Sequence, residues 1–118
     1  MGMFNSIYTD VLCSVKNKIN KNTEIQIKWQ EYEARVLSHY HLGDVLEDIE
    51  DEFNNTWIRT DYICDACSKH TQGQGYSFIK TEDQKWHYVF VNIRQGQIKE
   101  ILTVREFKKL GIKNFVRY

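Results

Sequence analysis

Trp86-His87-Tyr88-Val89-Phe90-Val91-Asn92-Ile93-Arg94-Gln95-Gly96-Gln97-Ile98-Lys99-Glu100-Ile101-Leu102-Thr103-Val104-Arg105-Glu106-Phe107 is the stretch whose reading decides the fold. Residues 86–93 are apolar on both faces, the pattern of a strand inside a sheet rather than at its edge. Arg94-Gln95-Gly96-Gln97 reads as a tight turn, with Gly96 free to take positive φ. Residues 98–102 return as a second strand. Thr103 and Glu106 then fit a capping box, at the N-cap and N3 positions. Leu102 and Phe107 stand where the two members of a hydrophobic staple belong. Val104, Phe107 and Leu110 form one apolar stripe, and Gly111 suits the left-handed residue that closes a helix. The expectation is a sheet ending in one short helix that lays its stripe on the core.

Working back towards the N-terminus, residues 76–80 and 85–93 read as strands joined by the polar loop Thr81-Glu82-Asp83-Gln84. Residues 68–75 form a polar loop with two glycines. Residues 56–63 are a strand that runs straight into Cys64-Asp65-Ala66-Cys67. In residues 45–53, Val45, Leu46, Ile49 and Phe53 fall at helical spacing among dense acids, which fits a short helix or an irregular acidic loop. A third strand is expected over residues 35–42, ending at Gly43-Asp44. Residues 24–30 alternate, with Ile25, Ile27 and Trp29 on one face and Gln26, Lys28 and Gln30 on the other. Residues 7–15 alternate more loosely, and residues 16–22 are a polar turn, so the first two strands are expected to pair as a hairpin. The fold class is therefore α+β and mostly β: an antiparallel sheet with one short C-terminal helix. A length of 118 residues fits a single domain over residues 1–118.

Composition narrows the function classes. No window is long and apolar enough to span a membrane, and residues 1–5 lack the basic-then-apolar start of a signal peptide. Three cysteines, an odd count, argue against a disulfide framework. A cytoplasmic, reducing setting with no membrane partner is expected. Formal net charge is zero but unevenly placed. Residues 30–56 carry eight acids against Arg35, whereas residues 94–118 carry seven bases against Glu100 and Glu106. Arg105, Lys108, Lys109 and Lys113 would lie on the exposed side of the terminal helix, opposite its apolar stripe, and are the candidate partner-binding residues.

The chemistry-bearing residues centre on Cys64-x-x-Cys67. Such a pair on a tight turn points two thiolates at one place, half of a tetrahedral zinc site. Cys13, near the end of its strand, and His70, the nearest histidine, would complete a Cys3His set; His39 and His41 are reserves. The plainer reading, three reduced thiols without metal, is the default, and a structural zinc is the functional alternative. Thioredoxin-like redox chemistry would need the pair at a helix N-terminus, whereas here a strand precedes it and a loop follows. His87, between Trp86 and Tyr88, reads as a hydrogen-bonded core histidine. With no nucleophile–base pair and no phosphate loop, an enzyme is not expected.

Several short stretches carry a resemblance. They are Met1-Gly2-Met3-Phe4-Asn5-Ser6-Ile7-Tyr8, Val11-Leu12-Cys13-Ser14-Val15-Lys16, Ile25-Gln26-Ile27-Lys28, Tyr40-His41-Leu42-Gly43-Asp44 and Cys64-Asp65-Ala66-Cys67. Over roughly residues 1–67 the chain resembles a family of small phage- and prophage-encoded, zinc-ribbon-like proteins. The resemblance implies a zinc-ribbon-like sheet and a structural zinc. The chain departs from the family pattern at Lys16, where the second cysteine of the first knuckle belongs, and at Ser68, where a glycine follows the second pair. The first knuckle is thus degenerate. Taken together, these features point to a small non-enzymatic binding module acting through protein–protein contact or self-association. The alternative is a nucleic-acid-binding ribbon using the basic C-terminal segment; overall neutrality ranks it second, because nucleic-acid domains are usually basic.

Overall fold

The computed structural model describes residues 5–13, 15–27, 39–46 and 49–117, and most of them are strand. The first two strands, β1 (Asn5–Cys13) and β2 (Lys18–Ile27), form an antiparallel hairpin. Asn17 takes φ 54° at the turn, which lets β2 begin at Lys18 inside the expected polar turn. The register slips between Thr9 and Val11, and there Asn22, at φ 50°, donates its backbone N–H to Asp10 Oδ1 at 2.8 Å. Asparagine tolerates the left-handed region better than most residues, which is why the polar run bends without leaving the ladder.

β3 (His39–His41) is three residues long and pairs with β1 in parallel. The expected third strand over 35–42 is thus seen at its end, residues 35–38 lying outside the described residues. Residues 28–30 of the expected second strand also lie outside them. β4 (Thr56–Ile63) falls where the sequence places it. Between them, residues 45–53 hold a bridge from Val45 to Gln97 and a 3₁₀ turn at Asp51–Phe53, with residues 47 and 48 outside the described residues. β5 (Thr71–Gln72) and β6 (Ser77–Phe78) form a small separate hairpin. The strand expected over 76–80 therefore does not join the main sheet. Gly73 N–H donates to Tyr76 O at 2.7 Å and folds that stretch back on itself instead.

The rest of the main sheet is β7 (Trp86–Arg94), β8 (Gln97–Thr103) and β9 (Val116–Arg117), with α1 (Val104–Leu110) between the last two. The strand order is β3-β1-β2-β4-β7-β8. The sheet is mixed rather than wholly antiparallel, because β3 runs parallel to β1 and β9 parallel to β4. β4 divides one edge between two neighbours: Asp61 and Tyr62 face β2, while Ile58 and Arg59 face β9. The chain leaving β3 then reaches the far edge. Gly43 N–H donates to Ile98 O at 2.8 Å, Ile98 N–H to Asp44 O at 3.0 Å and Leu46 N–H to Gly96 O at 2.6 Å. Residues 43–46 thereby link the first and last strands, and the sheet nearly closes like a barrel, which removes most free edge.

The two faces of this sheet bury different sets. Ile7, Val11, Ile25, Ile27, Ile58, Val89, Val91, Ile93 and Ile98 fill the interior. Trp57, Phe90 and Phe107 form a second cluster outside it, joined by Leu102, Val104, Ile112 and Phe115. Hence β7 is buried on both faces along residues 89–93, as its sequence requires: Val89, Val91 and Ile93 point inward while Phe90 stacks on Phe107 of α1 at 3.7 Å between ring centroids.

The β7–β8–α1 unit follows its local signals. Gln95 and Gly96 both take positive φ, 51° and 71°, as a two-residue hairpin turn of the twist-matched kind demands. The side chains of Asn54 and Asn55 hold that turn by accepting from Gly96 N and Gln95 N. Thr103 and Glu106 form the capping box: Glu106 N–H donates to Thr103 Oγ1 at 3.3 Å and Thr103 N–H to Glu106 Oε1 at 3.2 Å. Gly111 ends the helix at φ 69°. One expectation fails here. Leu110 is 54% exposed, not part of the buried stripe. The helix stops after seven residues, and Ile112 and Phe115 of the following chain pack on the outer cluster instead.

Candidate metal centre

Three strands and one turn deliver their side chains to a single end of the barrel. Cys13 closes β1, Cys64 follows β4 directly, Cys67 lies in the turn beyond, and His87 is the second residue of β7. The register explains the convergence. Tyr62 of β4 stands opposite His87 of β7, and Cys64, two residues on, shares the inward face with Tyr62 because side chains alternate along a strand. Cys64 N–H donates to Lys85 O at 2.7 Å, which extends the pairing past the end of β4.

The knuckle is held from two sides. Asn20 of β2 is buried and donates Nδ2–H to Cys64 Sγ at 3.3 Å, while its Oδ1 accepts from Ala66 N at 2.9 Å. Ser68, also buried, donates its hydroxyl to Cys64 O at 2.6 Å and accepts from Lys85 N at 3.0 Å. Cys13 carries a local contact of its own, the backbone N–H of Lys16 donating to its Sγ at 3.4 Å. Cys13 thus has a backbone N–H directed at its sulfur within its own turn.

The sulfurs of Cys13, Cys64 and Cys67 and a ring nitrogen of His87 all lie within 4.8 Å of one another. Cys13 Sγ and Cys67 Sγ are 3.4 Å apart. Tetrahedral zinc with Zn–S near 2.3 Å would hold its sulfurs ~3.7 Å from each other, so this spacing is that of ligands needing only small shifts. The donor set also suits zinc in kind. His87 Nε2 is buried and has no hydrogen-bond partner among the described residues. Leaving such a group unpaired costs about 1–3 kcal/mol, a cost that coordination removes.

Electrostatics at the cluster point the same way. Burial acts to raise the Cys13 thiol, but the N–H of Lys16 and the thiols of Cys67 and Cys64 outweigh it and hold Cys13 below its ordinary value. Burial, then hydrogen bonds with Cys13 and Cys64, push Cys67 up to about 12. Burial, followed by the charges of Cys64, Cys13 and Cys67, also drives the Tyr62 hydroxyl well above its usual range. Cys13 is thus favoured to lose its proton before Cys67. A divalent cation at the centre reverses the rise at Cys67, because coordinating thiols deprotonate.

His70 lies elsewhere. Its Nε2 is 3.1 Å from Asp65 O and 3.3 Å from Asp65 Oδ1, and its Nδ1 is 3.3 Å from Ser77 Oγ. The structure therefore brings Cys13, Cys64 and Cys67 together with His87 instead of His70. His41 pairs with Asp44 at 3.8 Å, remote from the thiols in the β3 turn, and the side chain of His39 lies outside the described residues. Sequence proximity favoured His70. The signal for His87 was its position two residues before Val89 on an inward face, but only the β4–β7 register turns that position into a place beside Cys64.

The cations expected to bind a partner are all exposed. Arg105, Lys108 and Lys109 lie on α1, while Lys113 lies beyond its end. Among the described residues no helix is long and apolar enough to cross a membrane. No protein-family model matches the chain, and neither a curated protein nor a solved structure matches it.

Proposed function

We propose that the protein is a small non-enzymatic binding module whose barrel end is tied by one structural zinc ion, and that it acts through protein–protein contact. Cys13, Cys64, Cys67 and His87 would hold the ion. The observation that carries the reading is the convergence of three sulfurs and a ring nitrogen of His87, a histidine whose buried Nε2 has no hydrogen-bond partner among the described residues. Four protein donors complete a tetrahedron and leave no open position for water or substrate, the mark of a structural rather than a catalytic site. The resemblance to phage-encoded, zinc-ribbon-like proteins fits this reading if His87 supplies the donor that Lys16 cannot. Zinc would contribute charge neutralisation and a cross-link between β1, β7 and the knuckle; Asn20 and Ser68 orient the sulfur-bearing turn around it. Contact with protein is favoured over nucleic acid by the zero net charge and the acidic 30–56 segment.

Metal analysis of protein purified without chelator tests the zinc. The expected content is about one zinc per chain, and cobalt(II) in its place should give the absorption of a tetrahedral thiolate site. Cys64→Ser and His87→Ala should each lower the metal content, whereas His70→Ala should retain it. Folded, monodisperse protein that carries no zinc and takes up no cobalt would remove the proposal. Loss with His70→Ala but not with His87→Ala would move the fourth ligand.

A further inference from the structure

We propose that the groove between α1 and the outer face of β4 and β7 docks an acidic peptide segment bearing an apolar anchor side chain. This rests on the protein-contact reading above and names its partner class. The groove encloses about 390 Å³, near the lower end of the roughly 300–1,000 Å³ typical of binding pockets. Its floor is apolar, made by Phe90, Phe107, Ile112 and Phe115. Every charged residue lining it is a cation: Arg59, Lys108 and Lys113. An apolar floor under a purely cationic rim is the complement of an apolar side chain flanked by carboxylates.

Arg59 is fixed where such a carboxylate would meet it. Its guanidinium stands 4.4 Å from the Tyr88 ring centroid and 5.9 Å from that of Phe115. Stacking on both rings limits the conformations Arg59 would lose on binding. Arg117 adds a further cation over Phe115 at 5.7 Å. The surface also continues past the groove. Tyr88 and Val104 line a neighbouring cleft shared with Leu12, Val15 and Trp86, and Trp86 and Tyr88 are 44% and 51% exposed. An extended segment could follow this path along β7.

Two other occupants fit the geometry less well. A second copy of the chain offers an acidic–apolar run at residues 44–53, but Leu46 is buried there and Ile49 and Phe53 pack on the barrel core. Of the apolar side chains in that run only Val45 is exposed, and a single valine is a small anchor for a groove of this size. Single-stranded nucleic acid would need free ring faces for base stacking. In the groove Phe90 and Phe107 spend theirs on each other, with 3° between planes, and Arg59 covers Tyr88. What remains is a slot for an inserted side chain.

Fluorescence anisotropy on the full chain tests the assignment. The probe is a labelled peptide of about 12 residues in which Asp and Glu flank Leu and Phe anchors. Its counterparts replace the acids by Lys, or the anchors by Ser, and a labelled oligothymidine of about 15 nucleotides stands for nucleic acid. The acidic–apolar peptide should bind in the micromolar range, and both counterparts about tenfold more weakly or worse. K108E combined with K113E should weaken that peptide about tenfold or more, whereas R105E with K109E, an equal charge change outside the groove, should alter it less than about threefold. The same loss from both pairs, or none from the groove pair, would overturn the site, as would the absence of peptide binding. A host protein captured equally well by wild type and the groove pair would overturn the groove while leaving the protein-contact reading intact. Oligothymidine binding without peptide binding would overturn both.

Discussion

The two ends of β7 are built in opposite ways. Its C-terminal end continues into β8 and α1 through contacts between near neighbours in sequence: a two-residue turn, a capping box, and Phe90 stacked on Phe107. Its N-terminal end, at His87, meets Cys13 and Cys64, residues drawn from across the chain. The first end is complete as it stands, with apolar side chains packed on one another. The second gathers three thiols and an imidazole, and leaves His87 Nε2 without a hydrogen bond among the described residues. Apolar packing completes itself; a cluster of soft donors would be completed by the proposed cation.

The largest expected effect falls on the self-sufficient end. Phe107 is buried among Trp57, Phe90 and Phe115. Phe107→Ala removes a ring from an aromatic cluster and should destabilise the fold by about 3–5 kcal/mol. Chemical denaturation of wild type and variant measures it. The loss should be the same with zinc bound and with zinc removed, because sites this far apart add. A loss that depends on metal would show that the two ends are one cooperative unit and would break the contrast.

Removing zinc is the next largest. Zinc held at a hundredfold over its dissociation constant stabilises the fold by about 2.7 kcal/mol, and a chelator should take that away. The aromatic cluster of Trp57, Phe90 and Phe107 holds none of the candidate ligands, so the chain should remain folded but melt at lower temperature. Amide hydrogen exchange sharpens the comparison. Protection should fall at Cys64, Ala66 and Ser68 and at Lys16, and stay unchanged along α1. Uniform loss across both ends would show that the metal holds the whole barrel.

Legibility in the sequence follows the same divide. The β4 strand, the β7–β8 turn, the capping box and the burial of β7 on both faces all depend on residues close in sequence, and each was readable from spacing. Barrel closure was not. It depends on backbone groups of residues 43–46 finding Ile98 and Gly96, and backbone pairing leaves no mark in side-chain pattern. The parallel β1–β3 pair was invisible for the same reason. At the candidate site, the residue types of the three cysteines drew attention to them, but the histidine was chosen by nearness along the chain. His70 is close to Cys67 in sequence and engaged with Asp65 and Ser77; His87 is distant in sequence and adjacent in register to Tyr62. Leu110 shows the converse limit: it lies in the last turn of α1 yet stays exposed, because spacing alone does not say what the next element leaves to cover it.

A smaller effect probes the helix start. Thr103→Ala removes the hydroxyl that accepts from Glu106 N and donates to Glu106 Oε1, while the backbone N–H of residue 103 still reaches that carboxylate. The expected cost is ~1 kcal/mol, read as a shift in the denaturation midpoint without a change in slope. No shift would mean that packing of Phe107 alone sets the helix, making this end even less dependent on its cap than the contrast assumes.

The smallest expected effect is also the sharpest test of where the helix ends. By spacing, Leu110 belongs to the stripe with Val104 and Phe107. By structure, Gly111 turns the chain at φ 69° and Leu110 is left 54% exposed. Leu110→Gln keeps helix propensity nearly constant, so the substitution isolates packing. A residue on the solvent side should change stability within about 0.5 kcal/mol, whereas a leucine seated in a core would lose about 2–5 kcal/mol on truncation. The two expectations differ severalfold, well beyond the error of a denaturation curve. A loss in the larger range would mean that the last turn of α1 is rotated so that Leu110 faces inward. Ile112 and Phe115 would then be displaced from the aromatic cluster, and the groove they line would close.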